Sequence, residues 1–258
     1  MNKKLFLHSI AIMMVSMLCV NLSSCGSDDD SNELELTVSP ESVSLHYEET
    51  VQLQASDNVN TWMSENEFVA TVNSSGYVTG GHVGTTRIKA AQGSRVGYST
   101  ITIVPKYNLY DTPITEFGAS KATIKGMETH ELSRETETSL LYIYTVGTHP
   151  CLVMYRLKSG RLDGIMAMLK YSDFVTAGYH LLERYQAASI TDDLFIFLNN
   201  NSPETATMAV TLGTQVIDGS TITAIVYMPW PLESSMKRRM PLVQDDAQIQ
   251  SIVNHFFK

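Results

Sequence analysis

The chain has 258 residues, with 18 basic and 27 acidic side chains, a net charge of −9 and 43% hydrophobic residues. That surplus of acid excludes nucleic acid and an anionic membrane surface as electrostatic partners, since both require a basic footprint. The apolar fraction suffices for packed cores and the length for one or two domains.

Residues 1–24 read as an export signal. Asn2-Lys3-Lys4 is a basic start, and Leu5 to Val20 is an apolar run. As a helix that run spans about 24 Å, short of the roughly 30 Å hydrocarbon core, so it suits export and not anchoring. It ends at Leu22-Ser23-Ser24-Cys25. This stretch resembles the lipobox of bacterial lipoproteins. The resemblance implies cleavage before Cys25, lipidation of Cys25 and a membrane partner reached through lipid. The other reading is a plain signal peptide with an incidental cysteine. Acyl chains contribute about 0.8 kcal/mol per buried methylene, and more than one chain is needed for stable anchoring. Losing Lys3 and Lys4 with the signal moves the net charge from −9 to −11. Cys19 leaves with it, so Cys151 is the one thiol beside Cys25 and no intramolecular disulfide is expected.

Residues 25–33 form an acidic tether whose Asp28, Asp29 and Asp30 repel one another and favour an extended backbone. Cys25-Gly26-Ser27-Asp28-Asp29-Asp30 also resembles the signal that carries lipoproteins of one group of Gram-negative bacteria to the cell surface. The resemblance implies an outer-membrane, lipid-anchored, surface-exposed protein. A periplasm-facing anchor stays open.

Residues 34–105 switch to period 2. Val51, Leu53 and Ala55 alternate with glutamines, and Ile101 and Ile103 with threonines. Turn signals at Ser39-Pro40, Asp57-Asn58, Ser74-Ser75-Gly76 and Gly80-Gly81 predict about seven short strands in an antiparallel sandwich, with Trp62 filling space between its sheets. Trp62-Met63-Ser64-Glu65-Asn66, Val69-Ala70-Thr71-Val72, Gly76-Tyr77-Val78-Thr79-Gly80 and Gly84-Thr85 resemble the group 2 bacterial Ig-like domain. That resemblance implies a surface or adhesin-associated module, a spacer or a binding domain, without catalytic residues. Tyr47-Glu48-Glu49-Thr50 departs from the family's pattern, which favours a glycine before the threonine, and leaves one turn open.

Residues 106–258 read as a C-terminal α+β domain of two helix-plus-three-strand units. Ser120 caps a helix from Lys121 to about Thr129, with Ile124 and Met127 on one face. Apolar runs follow at Leu140–Val146, Cys151–Leu157 and Leu162–Lys170, with a turn at Lys158-Ser159-Gly160. Ser172 or Asp173 caps a second helix, Phe174 to Ala187, with a stripe of Phe174, Val175, Leu181, Leu182 and Tyr185. Runs recur at Leu194–Leu198, Thr205–Leu212 and Thr221–Met228, the last after an Asp218-Gly219 turn. The spacing of about 54 residues predicts one antiparallel sheet of about six strands with both helices on one face. The region looks like C-terminal domains of other Ig-bearing surface lipoproteins of the same bacteria. In element order it is similar to tandem folds such as the beta-lactamase inhibitor protein, which implies binding more than catalysis. Pro229 and Pro231 stop the last strand. The basic cluster Lys237-Arg238-Arg239 reads as a solvated loop. A final helix at 246–257 presents Ile249, Ile252, Val253, Phe256 and Phe257 as an apolar stripe, docked on its own domain, on a partner or in a dimer.

The chain carries no H-E-x-x-H, G-x-S-x-G, phosphate-loop, C-x-x-C or dinucleotide motif, and no two histidines stand at metal-ligand spacing, so no cofactor or metal is expected. His149 and Cys151 are the sharpest pair for a nucleophile, but no third member orients the base, and a buried structural cysteine is the plainer reading. Asp163, Asp173, Glu183, Asp192 and Asp193 are candidate paired carboxylates, although turn and cap positions account for most of them. An open sheet face bearing Tyr142, Tyr144, Tyr155 and Arg156, closed by Trp230, suits a protein or glycan ligand; ordinary core and cross-strand pairs are the competing account. The expectation is a non-enzymatic surface lipoprotein whose Ig-like module spaces a binding domain from the membrane. The alternatives are a glycan- or peptide-acting hydrolase and a periplasm-facing structural partner of an envelope complex.

Overall fold

The computed structural model describes residues 35–190, 194–217 and 219–231. The signal, Cys25, the acidic tether, Asp192, Asp193, the 237–239 cluster and the 246–257 stripe lie outside the described residues.

The first folded part is built of nine short strands: β1 (Val38–Ser39), β2 (Ser42–Leu45), β3 (Thr50–Gln52), β4 (Gln54–Ala55), β5 (Thr61–Ser64), β6 (Ala70–Val72), β7 (Tyr77–Gly80), β8 (Gly84–Gln92) and β9 (Arg95–Ile103). They form sheets ordered β2-β9-β8-β5 and β3-β7-β6, with a β1-β4 pair beside them. Period 2 puts one side of each strand inward. Thr86, Ile88 and Ala90 of β8 are buried and stand opposite Ile101, Ser99 and Gly97 of β9. Leu36, Leu53, Val78, Ile88 and Ile101 share one core, with Trp62 packed at its margin. At Gly76 (φ 78°) a Cβ would come within 2.9 Å of the Trp62 ring, so the turn needs both the left-handed backbone and the missing side chain. The strands are more numerous than the seven expected, and two of them, β8 and β9, run to nine residues each.

The second part is mainly sheet. Helix α1 (Lys121–Met127) precedes β10 (Leu132–Glu135), β11 (Ser139–Val146), β12 (His149–Lys158) and β13 (Arg161–Lys170). Helix α2 (Phe174–Leu182) precedes β14 (Gln186–Ile190), β15 (Phe195–Leu198), β16 (Met208–Ile217) and β17 (Ser220–Pro229). All eight strands join one antiparallel sheet in the order β10-β11-β12-β13-β17-β16-β15-β14. Each four-strand meander therefore meets the other through its last strand, and the order reads alike from both edges.

Among the described residues, two short helices against eight strands correct the expected balance of helix-plus-three-strand units. Ser120 caps α1 as expected, its hydroxyl accepting from the Thr123 amide at 3.1 Å. Ile124 is buried, but Met127, the last residue of α1, stays 46% exposed. The second helix stops at Leu182, since Gln186–Ile190 is drawn into pairing with β15. Val175, expected in its stripe, is exposed. Ser159 and Gly160 both take positive φ, 51° and 74°, as a tight β12–β13 hairpin requires.

Both helices lie on the same side of the sheet. There Ile124, Tyr142, Tyr155, Ile165, Leu181, Val210 and Tyr227 share a core. The other side carries a second core, centred on Leu152, Met154, Met166, Met168, Val226 and Met228.

Candidate functional site

The residues expected on one open face do not meet there. Tyr142 and Tyr155 turn into the helix-side core, where both are buried and their rings pack edge-on at 5.7 Å. Tyr144 follows the same side to the rim and stacks on His130 at 3.6 Å. By strand alternation Arg156 points to the opposite face, where Asp163 holds it through bonds of 2.9 and 3.0 Å. Trp230 also packs on that opposite side, its Nε1 donating to the Pro203 carbonyl at 2.8 Å. With a core on each side, the sheet has no single aromatic face. This corrects the grouping of the five.

The other candidates have local tasks as well. His149 Nδ1 lies 3.1 Å from Asp173 Oδ1, tying the start of β12 to the start of α2. Asp173 thus serves His149 and does not cap the helix with its side chain. Cys151 is fully buried, and burial pushes its thiol far above the range in which a thiolate forms. Asp163 is committed to Arg156. Among the described residues no group of three histidine, cysteine or acidic side chains is placed to hold a metal ion.

A polar chain runs from Tyr155 to Asp111. The Tyr155 hydroxyl donates to Glu128 Oε2 at 2.6 Å, Glu128 Oε1 lies 2.7 Å from His130 Nδ1, and His130 Nε2 lies 3.1 Å from Asp111 Oδ2. Burial raises the Glu128 carboxyl, yet the bonds from Tyr155 and His130 together hold it below the usual carboxylate range. The chain pins the 106–120 crossing to the end of α1 and offers no exposed nucleophile.

A concave feature arises where the first part meets α2. A helix leaves its last carbonyls without intrahelical partners. Here the Leu182 carbonyl lies 3.1 Å from His82 Nδ1, and the Glu183 carbonyl takes the Val83 amide at 2.7 Å. The Glu183 carboxylate, itself buried, accepts the amides of Lys106 (3.1 Å to each oxygen) and Tyr107 (3.0 Å). Arg184 donates to the Tyr107 carbonyl at 3.1 Å and to Asn108 Oδ1 at 2.9 Å. His180 Nδ1 donates to the same Tyr107 carbonyl at 3.1 Å, while its Nε2 is buried without a partner. Burial, then the Arg184 charge, pushes the His180 imidazole down to about 3, so it is neutral. The boundary near Lys106 is therefore a change of sequence pattern but not a loose joint. Two segments, 82–83 and 106–108, close on the end of one helix.

Beside this seam opens a cleft of about 570 Å³. Tyr47, Glu48 and Glu49 line it from the turn before β3, Lys106 and Tyr107 from the crossing, and Tyr179 and Glu183 from α2 and the residue that follows it. The Tyr107 and Tyr179 rings stack at 5.2 Å and 18°, and Tyr179 is 50% exposed. Tyr47 lies against His82 at 5.9 Å. Burial, reinforced by the Glu48 charge, raises the Tyr47 hydroxyl, which stays a donor. Glu48 adopts φ 64°, left-handed backbone that costs a non-glycine residue about 1–2 kcal/mol. The one departure from the family pattern therefore sits at the mouth of the cleft. It was the only local signal of a site whose other residues are scattered over more than 130 positions.

Residues 35–103 match the sequence model of the bacterial Ig-like domain (group 2), which covers the nine-strand part and identifies it as an Ig-like domain. Comparison of the chain with curated proteins finds no match.

Proposed function

We propose that this protein is a non-enzymatic binding lipoprotein, anchored through Cys25 at the outer-membrane surface, and that it takes a glycan ligand in the cleft between the Ig-like domain and the sheet domain. The observation that carries this reading is the cleft's chemistry at a fixed seam. Tyrosine rings offer flat apolar faces with a polar edge, which suit the C–H faces of a sugar ring. Carboxylates at Glu48 and Glu49 accept from hydroxyls, and Lys106 donates. A mainly pre-formed concave site with a few convergent polar groups at a domain junction is where ligands usually bind. The strained backbone at Glu48 supports the same place, because such strain collects at functional positions. An Ig-like domain is a module of surface and adhesion type. In this reading the module is more than a spacer, since it supplies one wall of the site.

The test is glycan-array binding by the chain from Gly26 to Lys258, with Tyr107→Ala and Tyr179→Ala alongside. Loss of one aromatic stacking contact, worth about 1–1.5 kcal/mol, weakens binding roughly ten-fold while Tyr179→Ala leaves the melting temperature almost unchanged. A chain that binds no glycan, or a Tyr179→Ala variant that binds like the parent, sinks the cleft reading. Anchoring is tested apart from it: Cys25→Ala should abolish fatty-acid labelling and release the protein from membranes, and protease added to intact cells should digest the anchored form.

A further inference from the structure

The side of the sheet away from α1 and α2 carries a broad apolar patch, with the Arg156–Asp163 pair at one end. One cross-strand row runs Leu141–Met154–Met166–Val226–Thr211–Ile196 over six strands. Met154, Met166, Met168 and Met228 lie in this core, each no more than 8% exposed. A sheet face is that dry only beneath a covering layer. Among the described residues neither helix lies on this side, and the Ig-like domain has its own separate core. The connection carrying Ala206, with Trp230, covers only the end near Leu198 and Met228.

We infer that the segment after Pro231 covers this methionine-rich face, its apolar stripe of Ile249, Ile252, Val253, Phe256 and Phe257 lying across the strands. The chain leaves β17 at Trp230, which already packs on this side. Twenty-seven residues follow Pro231. Residues 232–245 reach up to about 46–50 Å when extended, beyond the roughly 24 Å that six strands occupy, so reach is no obstacle. A helix of the twelve residues 246–257, as their sequence pattern predicts, would measure about 18 Å, enough to bridge four or five strands. The stripe is the one strongly amphipathic pattern in the chain with no place in the described cores. Methionine is unbranched and polarizable, and suits packing against phenylalanine rings.

Methionine oxidation by dilute peroxide, read by mass spectrometry, tests the contact, since buried thioethers are shielded from it. In the chain from Gly26 to Lys258, Met63 and Met127 serve as exposed references and Met208, in the opposite core, as the sentinel of an intact fold. Ile252→Asp combined with Phe256→Asp should speed oxidation of Met154, Met166 and Met168 about ten-fold, toward the rates of Met63 and Met127, with Met208 still protected. Unchanged protection in that variant overturns the inference, as does protection in the parent chain that fades on dilution, which assigns the cover to a second copy. A photo-crosslinker at position 256 of the otherwise unaltered chain reads the same contact with the fold intact. Adducts on the β12 or β13 peptides support the inference, and adducts confined to any other segment overturn it.

Discussion

Replacing Glu183 by alanine should separate the two folded parts, and the cost can be worked from the seam. The carboxylate accepts two backbone amides, from Lys106 and Tyr107, at 3.0–3.1 Å in a buried position. A hydrogen bond to a charged acceptor contributes about 1.5–3 kcal/mol, and an amide left without a partner carries its own desolvation penalty. Two such bonds at the lower figure give about 3 kcal/mol, the upper figure being reduced because water can reach the exposed Lys106 side. For a chain of this size each kcal/mol moves the melting temperature by roughly 2–4 °C, so Glu183→Ala should melt about 6–12 °C lower. Glu183→Gln keeps one acceptor oxygen and should fall between variant and parent. Differential scanning calorimetry checks both, and the alanine variant should split one transition into two as the crossing at Lys106 and Tyr107 loses its hold on the end of α2. A Glu183→Ala chain within about 0.5 kcal/mol of the parent, melting in a single step, would refute the idea that this carboxylate ties the seam.

Two further expectations follow from the same region. Glu48→Gly relieves left-handed strain and should stabilise the chain by about 1 kcal/mol in urea unfolding while weakening glycan binding, and a variant that gains stability with binding intact removes Glu48 from the site. His180 is held neutral down to about pH 3, whereas an unfolded histidine protonates near 6.5; the unfolded chain therefore binds the extra proton between these values. Stability is full above about pH 6.5 and falls by up to about 1.4 kcal/mol per unit as pH drops toward 3. Urea midpoints at pH 7.5 and 4.5 measure this, and a His180→Asn chain with an undiminished slope shows that another group is responsible.

Much of the second part was legible because local chemistry and tertiary use agree. Ser120 caps α1, glycine closes the β12–β13 hairpin, and the six long apolar runs became six strands. The two strands that went unread, β10 and β14, are the edges of the sheet. An edge strand bonds one neighbour, so Leu132–Glu135 and Gln186–Ile190 need little apolar patterning, and Gln186 and Ala187 of the second fall within the helix expected to run to Ala187. Period 2 placed Tyr142, Tyr144 and Tyr155 on a common side, which the structure keeps. It does not say which side the helices cover, and that choice turned an imagined binding face into a core. Apart from the departure at Glu48, the cleft had no local pattern, being assembled from residues 46–49, 106–107 and 179–183.

The pairing of β2 with β9 has a mechanical side. Alone among the strand pairs of the described residues it runs parallel, matching Ser42 to Thr100 and Leu45 to Ile103, so the domain's first long ladder joins the segments by which the chain enters and leaves it. The Thr100 and Val104 amides extend the same ladder, donating to the carbonyls of Glu41 and Leu45 at 2.8 and 2.9 Å. Tension drawn between residues 35 and 104 acts along these strands and loads every rung together in shear, whereas a hairpin such as β16–β17 gives way one rung at a time. A protein tethered at one end and gripped by its ligand at the other would meet a flow with its strongest geometry already in line.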